Sequence, residues 1–215
     1  MDKCIKKYGL SIFLFFGFVV FSLFVRTIDV APIGPADTSV GFAGLNGAFA
    51  ETFGFNEAFY KLSEYFGYAC LGVAACFAFL GLWQLIKGKS IKKVDREIII
   101  LGFFYIIVIG FYILFDKVAF NYRPVMLENE LEASYPSSHT MLAFCVVVSG
   151  LMLVKKYITN KTMLTAVRCF LIVILAATVI FRLFSGVHWF TDIIGGIILS
   201  LALCSFFYDA NKKTA

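Results

Sequence analysis

The stretch Arg182-Leu-Phe-Ser-Gly-Val-His-Trp-Phe-Thr-Asp192 places a cation, an imidazole and a carboxylate between two long apolar runs. His188 and Asp192 are four residues apart, so on one helix they share a face and the carboxylate can hold a ring nitrogen. Ser185-Gly186 is a break signal, which predicts a turn followed by a helix that begins near Val187. Ionisable groups at the edge of a membrane run are costly, so this stretch is a candidate functional site.

The composition is that of a membrane protein. Of the 215 residues, 60% are hydrophobic and 15% are charged, whereas a soluble domain carries roughly 25% charged residues. The net charge of +5 could suggest a nucleic-acid partner, but the chain has no basic stripe interleaved with exposed aromatic residues. We therefore predict no nucleic-acid binding and take the lipid bilayer as the surroundings of the chain.

Six apolar runs are each long enough to be read as membrane spans. They cover residues 8–25, 66–86, 98–115, 139–154, 164–181 and 187–208. The first run could be a secretory signal peptide, but its length and the lack of a clean cleavage site favour an uncleaved helix. Apolar residues repeat at helical spacing in Phe55–Tyr65, which predicts a short interfacial helix. The fold class is therefore all-α: a polytopic membrane protein, one domain over residues 1–215, with six transmembrane helices and a short interfacial helix in the first outer loop.

Lysine placement predicts the orientation of these spans. The N-terminus, the connectors 87–97 and 155–163, and the C-terminal tail hold most of the lysines. The positive-inside rule makes that side cytoplasmic, so both termini are predicted to be cytoplasmic. The loops 27–65, 116–138 and 182–187 then lie together on the outer face.

The cysteines are interpreted as small apolar packing residues rather than metal ligands. None shows close metal-ligand spacing, and the chain has only two histidines. The six are Cys4, Cys70, Cys76, Cys145, Cys169 and Cys204.

Both histidines and three cations are predicted to gather on the outer face. His139 ends Tyr135-Pro-Ser-Ser-His139, where a loop leads into the fourth run, and His188 opens the sixth. Lys117, Arg123 and Arg182 lie at predicted helix ends on the same side. Several cations suit phosphoryl transfer, because a tetrahedral phosphate needs its developing charge spread.

The two imidazoles suit two different roles in such a reaction. One can attack phosphorus and the other can protonate the leaving alkoxide. His188 has Asp192 at helical spacing, which favours it as the nucleophile by the logic of a catalytic triad. His139 has no obvious acidic partner and lies beside a predicted helix N-terminus at Ser138, a natural anion site, which favours it as the acid. The hydroxyl of Ser137 can donate to a phosphate oxygen or simply cap the helix.

Three blocks of this sequence resemble the signature of the type 2 phosphatidic acid phosphatase family, which is related to the vanadium haloperoxidases. The first is Lys117-Val-Ala-Phe-Asn-Tyr-Arg123-Pro124, the second is Pro136-Ser137-Ser138-His139, and the third runs from Arg182 through His188 to Asp192. The motif-bearing part is thus residues 117–192. The resemblance implies a phosphohistidine on His188, orientation by Asp192, and protonation of the leaving group by His139.

The same resemblance implies a phosphate pocket and no metal or other cofactor. The residues that would hold the phosphate are Lys117, Arg123, Ser137, Ser138 and Arg182. Three positions depart from the family pattern. Only five residues separate Lys117 from Arg123, where the family has six, so on a regular helix the two would not share a face. Ser138 replaces a glycine, and Phe181 replaces a serine.

We therefore predict a bacterial plasma-membrane lipid phosphatase with its site on the outer face. Undecaprenyl diphosphate, phosphatidylglycerol phosphate and phosphatidic acid are the candidate substrates. A phosphotransferase that uses the same intermediate with a hydroxyl acceptor is the alternative. A small transporter ranks lower, because it predicts charges or helix breaks at mid-membrane, whereas the charges here lie at helix ends.

Overall fold

The computed structural model describes residues 2–212, with side chains from residue 7 onward. The side chains of Lys3, Cys4 and Lys6, and residue Lys213, lie outside this part, although the sequence interpretation used them. The described residues form seven α-helices: α1 (Asp2–Thr27), α2 (Ala43–Phe53), α3 (Glu57–Gly88), α4 (Arg96–Lys117), α5 (Ser138–Tyr157), α6 (Lys161–Phe184) and α7 (Phe190–Asn211).

All of these helices except α2 are long and apolar enough to cross a membrane. The predicted fold class, all-α with six transmembrane helices, is confirmed. Five of the six spans extend the apolar runs that predicted them at both ends, because polar and charged residues there continue the helical backbone. Helix α7 instead begins three residues after the start of its run, at Phe190, and ends at Asn211. Consecutive spans alternate in direction, so the loops 28–56, 118–137 and 185–189 share one end of the bundle, called here the site end. The other is called the lysine-rich end.

The short helix of the first site-end loop is not where the apolar periodicity placed it. It is α2, whereas Phe55–Tyr65 contributes the first two turns of α3. Helix α3 has 32 residues, which makes it about 48 Å long against a hydrocarbon core of about 30 Å. Its first turns can therefore lie at headgroup depth, where charged side chains are tolerated.

Helices α5 and α7 form the most buried pair, and small residues let them approach closely. A Cβ at Gly196 would lie 2.9 Å from the carbonyl oxygen of Ser137, and one at Gly195 would meet the ring of Tyr135. Helix α1 packs along α7, where Ser11 donates to the carboxylate of Asp209 over 3.0 Å. The ends of α5 and α7 that carry the predicted site residues are thus fixed by packing along the whole bundle.

A polar network joins three helices at the lysine-rich end. Asp95 accepts hydrogen bonds from Gln84 on α3, over 2.8 Å, and from Tyr157 on α5, over 2.9 Å. Lys156 lies 3.0 Å from the same carboxylate. Burial alone would raise the pKa of Asp95, but these partners together hold it below its usual value. The carboxylate therefore stays charged and ties the connector between α3 and α4 to α5.

Candidate active site

The turn predicted at Ser185-Gly186 is present between α6 and α7. Gly186 has φ +71°, and a Cβ there would collide with the backbone carbonyl of Gly54. The backbone N–H of Asn56 donates to the carbonyl of Ser185 over 2.9 Å. A glycine is required at 186 for both reasons, since it tolerates positive φ and leaves room for the neighbouring chain. This contact holds the start of α3 against the loop that carries His188.

His188 and Asp192 do not share a helix face, because α7 begins at Phe190. Asp192 is in the first turn, and its carboxylate caps the helix by accepting from the backbone N–H of Trp189 over 3.0 Å. His188 precedes this cap, and its Nδ1 still lies 3.5 Å from Asp192 Oδ2. Both side chains are buried. The predicted pairing is therefore present as a close contact, produced by a capping turn instead of helical periodicity.

Asp192 and Trp189 also fix the loop between α4 and α5. The side chain of Asn121 donates to Asp192 Oδ1 over 3.4 Å. The indole N–H of Trp189 donates to the carbonyl of Tyr122 over 2.7 Å. Trp189 is buried, so its side chain packs inside the bundle.

Arg123 lies in that loop and is held by Glu132. The backbone N–H of Arg123 donates to the carbonyl of Glu132 over 3.0 Å, and the two side chains form an ion pair at 2.9 Å. The Glu132 side chain remains partly exposed, whereas that of Arg123 is largely buried. The ion pair uses only one guanidinium nitrogen, and Nε and Nη1 of Arg123 are buried without a partner.

Arg182, near the end of α6, is completely buried. One of its terminal nitrogens donates to Glu64 over 2.8 Å and to Ser63 over 3.1 Å. The other lies 2.9 Å from His139 Nδ1. The guanidinium carbon is 5.5 Å from the ring centre of Tyr60, within reach of a cation–π contact. The guanidinium of Arg182 is therefore held inside the bundle by α3 and α5.

His139 has an acidic partner that the sequence did not reveal. Its Nε2 lies 3.2 Å from Glu64 Oε1. Arginine has only donors, so Nδ1 of His139 accepts from Arg182 and Nε2–H faces the Glu64 carboxylate. The expectation that His139 lacks an acidic partner was wrong, since each histidine of the chain lies beside a carboxylate.

One face of α3 supplies these contacts. Tyr60, Ser63, Glu64 and Gly67 are spaced as i, i+3, i+4 and i+7, which places them on one stripe of a helix. A Cβ at Gly67 would lie 3.0 Å from Cδ2 of His139, so the imidazole rests against the helix backbone there. The sequence analysis did not find this stripe because it considered only the spacing of the apolar residues in Phe55–Tyr65. The helical spacing of the small and polar residues in and after this segment would have indicated the site.

Ser137, Ser138 and His139 form the start of α5. Ser137 is the N-cap, and its hydroxyl accepts from the backbone N–H of Thr140 over 3.4 Å. The backbone N–H groups of Ser138 and His139 have no acceptor within the described chain. The capping interpretation of Ser137 is thus observed, and the amides beside it remain available to an anion.

Lys117 differs from the other predicted phosphate ligands. It is the last residue of α4, it is exposed, and it forms no ion pair or side-chain hydrogen bond among residues 7–212. Helix α4 ends at Lys117, so the residues between Lys117 and Arg123 form a loop. The spacing is one residue shorter than in the family pattern, and this difference therefore falls in the loop and does not rotate Arg123 around a helix.

Unpartnered nitrogens converge around His188. Among the described residues they are Nε and Nη1 of Arg123, Nε of Arg182 and Nε2 of His188, while Nδ1 of His188 has no hydrogen bond but faces Asp192 at 3.5 Å. A buried polar atom without a partner costs roughly 1–3 kcal/mol, so such a cluster indicates a site built for a ligand. Burial, and then the charges of Arg182 and Arg123, hold the pKa of His188 well below its usual value. The imidazole is therefore neutral and can act as a nucleophile.

Two cavities reach the two histidines. One, of about 120 Å³, includes His188 and is walled by α2 and by Pro124 and Val125. The other, of about 270 Å³, opens between α3, α4 and α5 and includes Ser138 and His139. Apolar side chains dominate both linings, so the polar site lies between two apolar spaces. Among the described residues, no group of three or more His, Cys, Asp or Glu side chains is placed to hold a metal ion.

The structure thus combines a bundle of six membrane-length helices with two histidines, two arginines and a carboxylate at one end. Residues 116–214 match the family model of the PAP2 superfamily, the family whose signature the three sequence blocks resemble. A solved structure, described as the first transmembrane PAP2 type phosphatidylglycerolphosphate phosphatase from Bacillus subtilis, is 21% identical. The match covers 93% of each chain with a TM-score of 0.59, a likeness in fold. No curated protein sequence matches the chain significantly.

Proposed function

We propose that this chain hydrolyses the terminal phosphate of a lipid phosphate or diphosphate, on the outer face of a bacterial plasma membrane. The observation that carries the proposal is the cluster of unpartnered, buried nitrogens on Arg123, Arg182 and His188. A phosphoryl group would accept from the two guanidinium groups and meet the imidazole, which would relieve the cost of leaving these nitrogens unpaired. The groups come from α3 through α7, so the chain acts as one domain.

The orientation follows from the basic connectors. Lys87, Lys89, Lys92 and Lys93 join α3 to α4, and Lys155 and Lys156 close α5, all at the lysine-rich end. The positive-inside rule assigns that end to the cytoplasm. Both termini are then cytoplasmic and the site faces outward.

The reaction has two steps in this proposal. Nε2 of His188 attacks phosphorus while Asp192 balances the charge that develops on the ring. The P–O bond to the leaving group breaks, and His139 gives that oxygen a proton. Water then attacks the phosphohistidine, His139 takes its proton, the N–P bond breaks and phosphate leaves. Arg123, Arg182 and the amides of Ser138 and His139 hold the equatorial oxygens, with the Ser137 hydroxyl and Lys117 as further ligands.

A lipid suits the surroundings of this site. The larger cavity is walled by Leu71, Val108, Ile109 and Leu142 and ends at Ser138 and His139. An acyl or prenyl chain in it would place the bridging oxygen near the proposed acid. Undecaprenyl diphosphate, phosphatidylglycerol phosphate and phosphatidic acid all present a terminal phosphate on such a chain.

The test is phosphate release from these three lipids by the purified protein, with and without a chelator. We expect activity to survive chelation and to be lost in His188→Ala and His139→Ala. Acid-labile phosphoenzyme is expected in wild type and, formed slowly, in His139→Ala, but not in His188→Ala. Full activity in His188→Ala would refute the nucleophile, and loss of activity in chelator would refute a reaction without metal. A phosphorylated hydroxyl acceptor in place of free phosphate would identify a transferase.

A further inference from the structure

We propose that Glu64 is a positioning residue that holds His139 in its protonated, acid-competent form. The inference rests on the proposed phosphatase function and adds to it a second carboxylate–histidine pair. Glu64 Oε1 contacts both His139 Nε2, at 3.2 Å, and Arg182, at 2.8 Å. Glu64 therefore touches the acid and one phosphate clamp with the same oxygen.

The hydrogen-bond directions show what must change before His139 can act as an acid. Arg182 donates to Nδ1, so in this arrangement the only ring proton is on Nε2 and is directed at Glu64. The nitrogen that should protonate a leaving group is thus occupied by a donor. Arg182 must turn this N–H away before Nδ1 can carry a proton.

Binding of a phosphoryl group would rotate the Arg182 guanidinium in this way. Arginine binds phosphate with two parallel N–H bonds, and Arg182 Nε is already unpartnered and adjacent to the terminal nitrogen that contacts His139. Binding phosphate through this edge withdraws the N–H from Nδ1. Nδ1 then takes a proton from water, and the resulting imidazolium keeps its Nε2–H on the Glu64 carboxylate.

The proton balance closes over one turnover. As the N–P bond to His188 forms and the P–O bond breaks, the proton on Nδ1 of His139 passes to the leaving alkoxide. In the second step the attacking water returns a proton to Nδ1 and restores the imidazolium. Glu64 gives up no proton in either step; it stabilises the imidazolium that forms once phosphate has drawn Arg182 away from Nδ1.

The packing of the His139 ring against α3 supports a positioning role for Glu64. Gly67, one turn beyond Glu64, lets the ring lie against the α3 backbone. Ser63 and Tyr60 on the same stripe hold the Arg182 guanidinium. A role limited to neutralising the buried Arg182 is the competing explanation, and it predicts no dependence on the leaving group.

The experiment compares Glu64→Gln with wild type on two substrates. Short-chain phosphatidic acid has an alkoxide leaving group that needs a proton, whereas the nitrophenolate of p-nitrophenyl phosphate departs without one. We expect kcat/KM for phosphatidic acid, which reports the step in which the leaving group departs, to fall about 10- to 100-fold, part of the roughly 10²- to 10⁴-fold that a general acid supplies. The kcat/KM for p-nitrophenyl phosphate should stay within about twofold, and Glu64→Asp should recover part of the loss.

Glu57→Gln is the matched control, because Glu57 is on the same helix but exposed and paired with Lys61 at 2.7 Å. It should leave both rates unchanged. Equal losses of activity on the two substrates would show that Glu64 has only a structural role. No loss on either substrate would show that Glu64 has no role in the reaction. Either result would overturn the inference. If His188→Ala also kept its activity, the proposed function would fail instead, so the two failures are distinguishable.

Discussion

The indole N–H of Trp189 donates to the backbone carbonyl of Tyr122 over 2.7 Å, which joins the residue after His188 to the residue before Arg123. The hydrogen bond thus sets the distance between the proposed nucleophile and one phosphate clamp. It connects two loops that are far apart in the sequence. A loss here would loosen the clamp without touching either reacting group.

The first prediction therefore concerns Trp189→Phe, which replaces the indole with a smaller aromatic ring that has no N–H donor. We expect KM to rise about tenfold with kcat little changed, since an unpaired carbonyl costs roughly 1–3 kcal/mol. Both constants are measured by steady-state kinetics with phosphatidic acid as the substrate. Trp83→Phe, an exposed tryptophan at the lysine-rich end, is the control. A fall in kcat at constant KM would instead place Trp189 in the chemical step.

The second prediction concerns Asp192→Asn. The amide oxygen can still accept from the backbone of Trp189, so the helix cap survives, but the negative charge beside His188 is lost. We expect kcat to fall by roughly three to four orders of magnitude, as it does when a serine-protease triad loses its carboxylate. Asp209→Asn is the control, because Asp209 is buried on the same helix and contacts Ser11. Similar losses in the two variants would indicate a folding defect.

The third prediction is a pH dependence. Burial and the neighbouring arginines lower the pKa of His188, and the nucleophile must be neutral. The acid limb of kcat/KM should therefore lie below about 6.5, the ordinary pKa of histidine. Arg123→Gln removes a cation that disfavours the protonated ring, so its acid limb should move to higher pH. Arg26→Gln, at the same end of the bundle, should not move it. A shift to lower pH in Arg123→Gln would contradict the assignment.

The fourth prediction separates the two cations of the first block. Lys117 is exposed and without a polar partner, whereas Arg123 is mostly buried with two free N–H groups. We expect Lys117→Gln to lower kcat/KM by less than about tenfold and Arg123→Gln by about 100-fold or more, since buried charge-assisted hydrogen bonds are the stronger ones. Comparable losses would show that Lys117 reaches the phosphate during the reaction.

The fifth prediction tests the packing of the His139 ring against Gly67 of α3. Alanine at Gly67 would put its Cβ 3.0 Å from the imidazole, while alanine at Gly72 on the same helix meets nothing within 4 Å. We expect Gly67→Ala to slow hydrolysis of phosphatidic acid and Gly72→Ala to have no effect. A functional Gly67→Ala enzyme would show that the ring is free to move aside.

The sequence was informative wherever one local property determined the result. Six apolar runs predicted six spans, and a Ser-Gly pair predicted the turn before His188. The start of α7 was misplaced because a capping carboxylate and a helical i,i+4 pair look alike in sequence. Glu64 was missed for another reason: its partners His139 and Arg182 are 75 and 118 positions away, and only the packing of α3 on α5 and α6 brings them together.

The contact between Ser11 and Asp209 has a consequence for biosynthesis. These residues belong to the first and last spans and are separated by 198 positions. A ribosome releases the chain from its N-terminus, so α1 must wait in the bilayer until five later spans have been inserted. The hydroxyl of Ser11 lacks its partners on α7, Ser205 and Asp209, until then. The bundle therefore closes after synthesis of α7, and the proposed hydrolytic centre, which includes Asp192, can form only in a fully inserted chain. A nascent intermediate thus cannot attack the lipids that surround it.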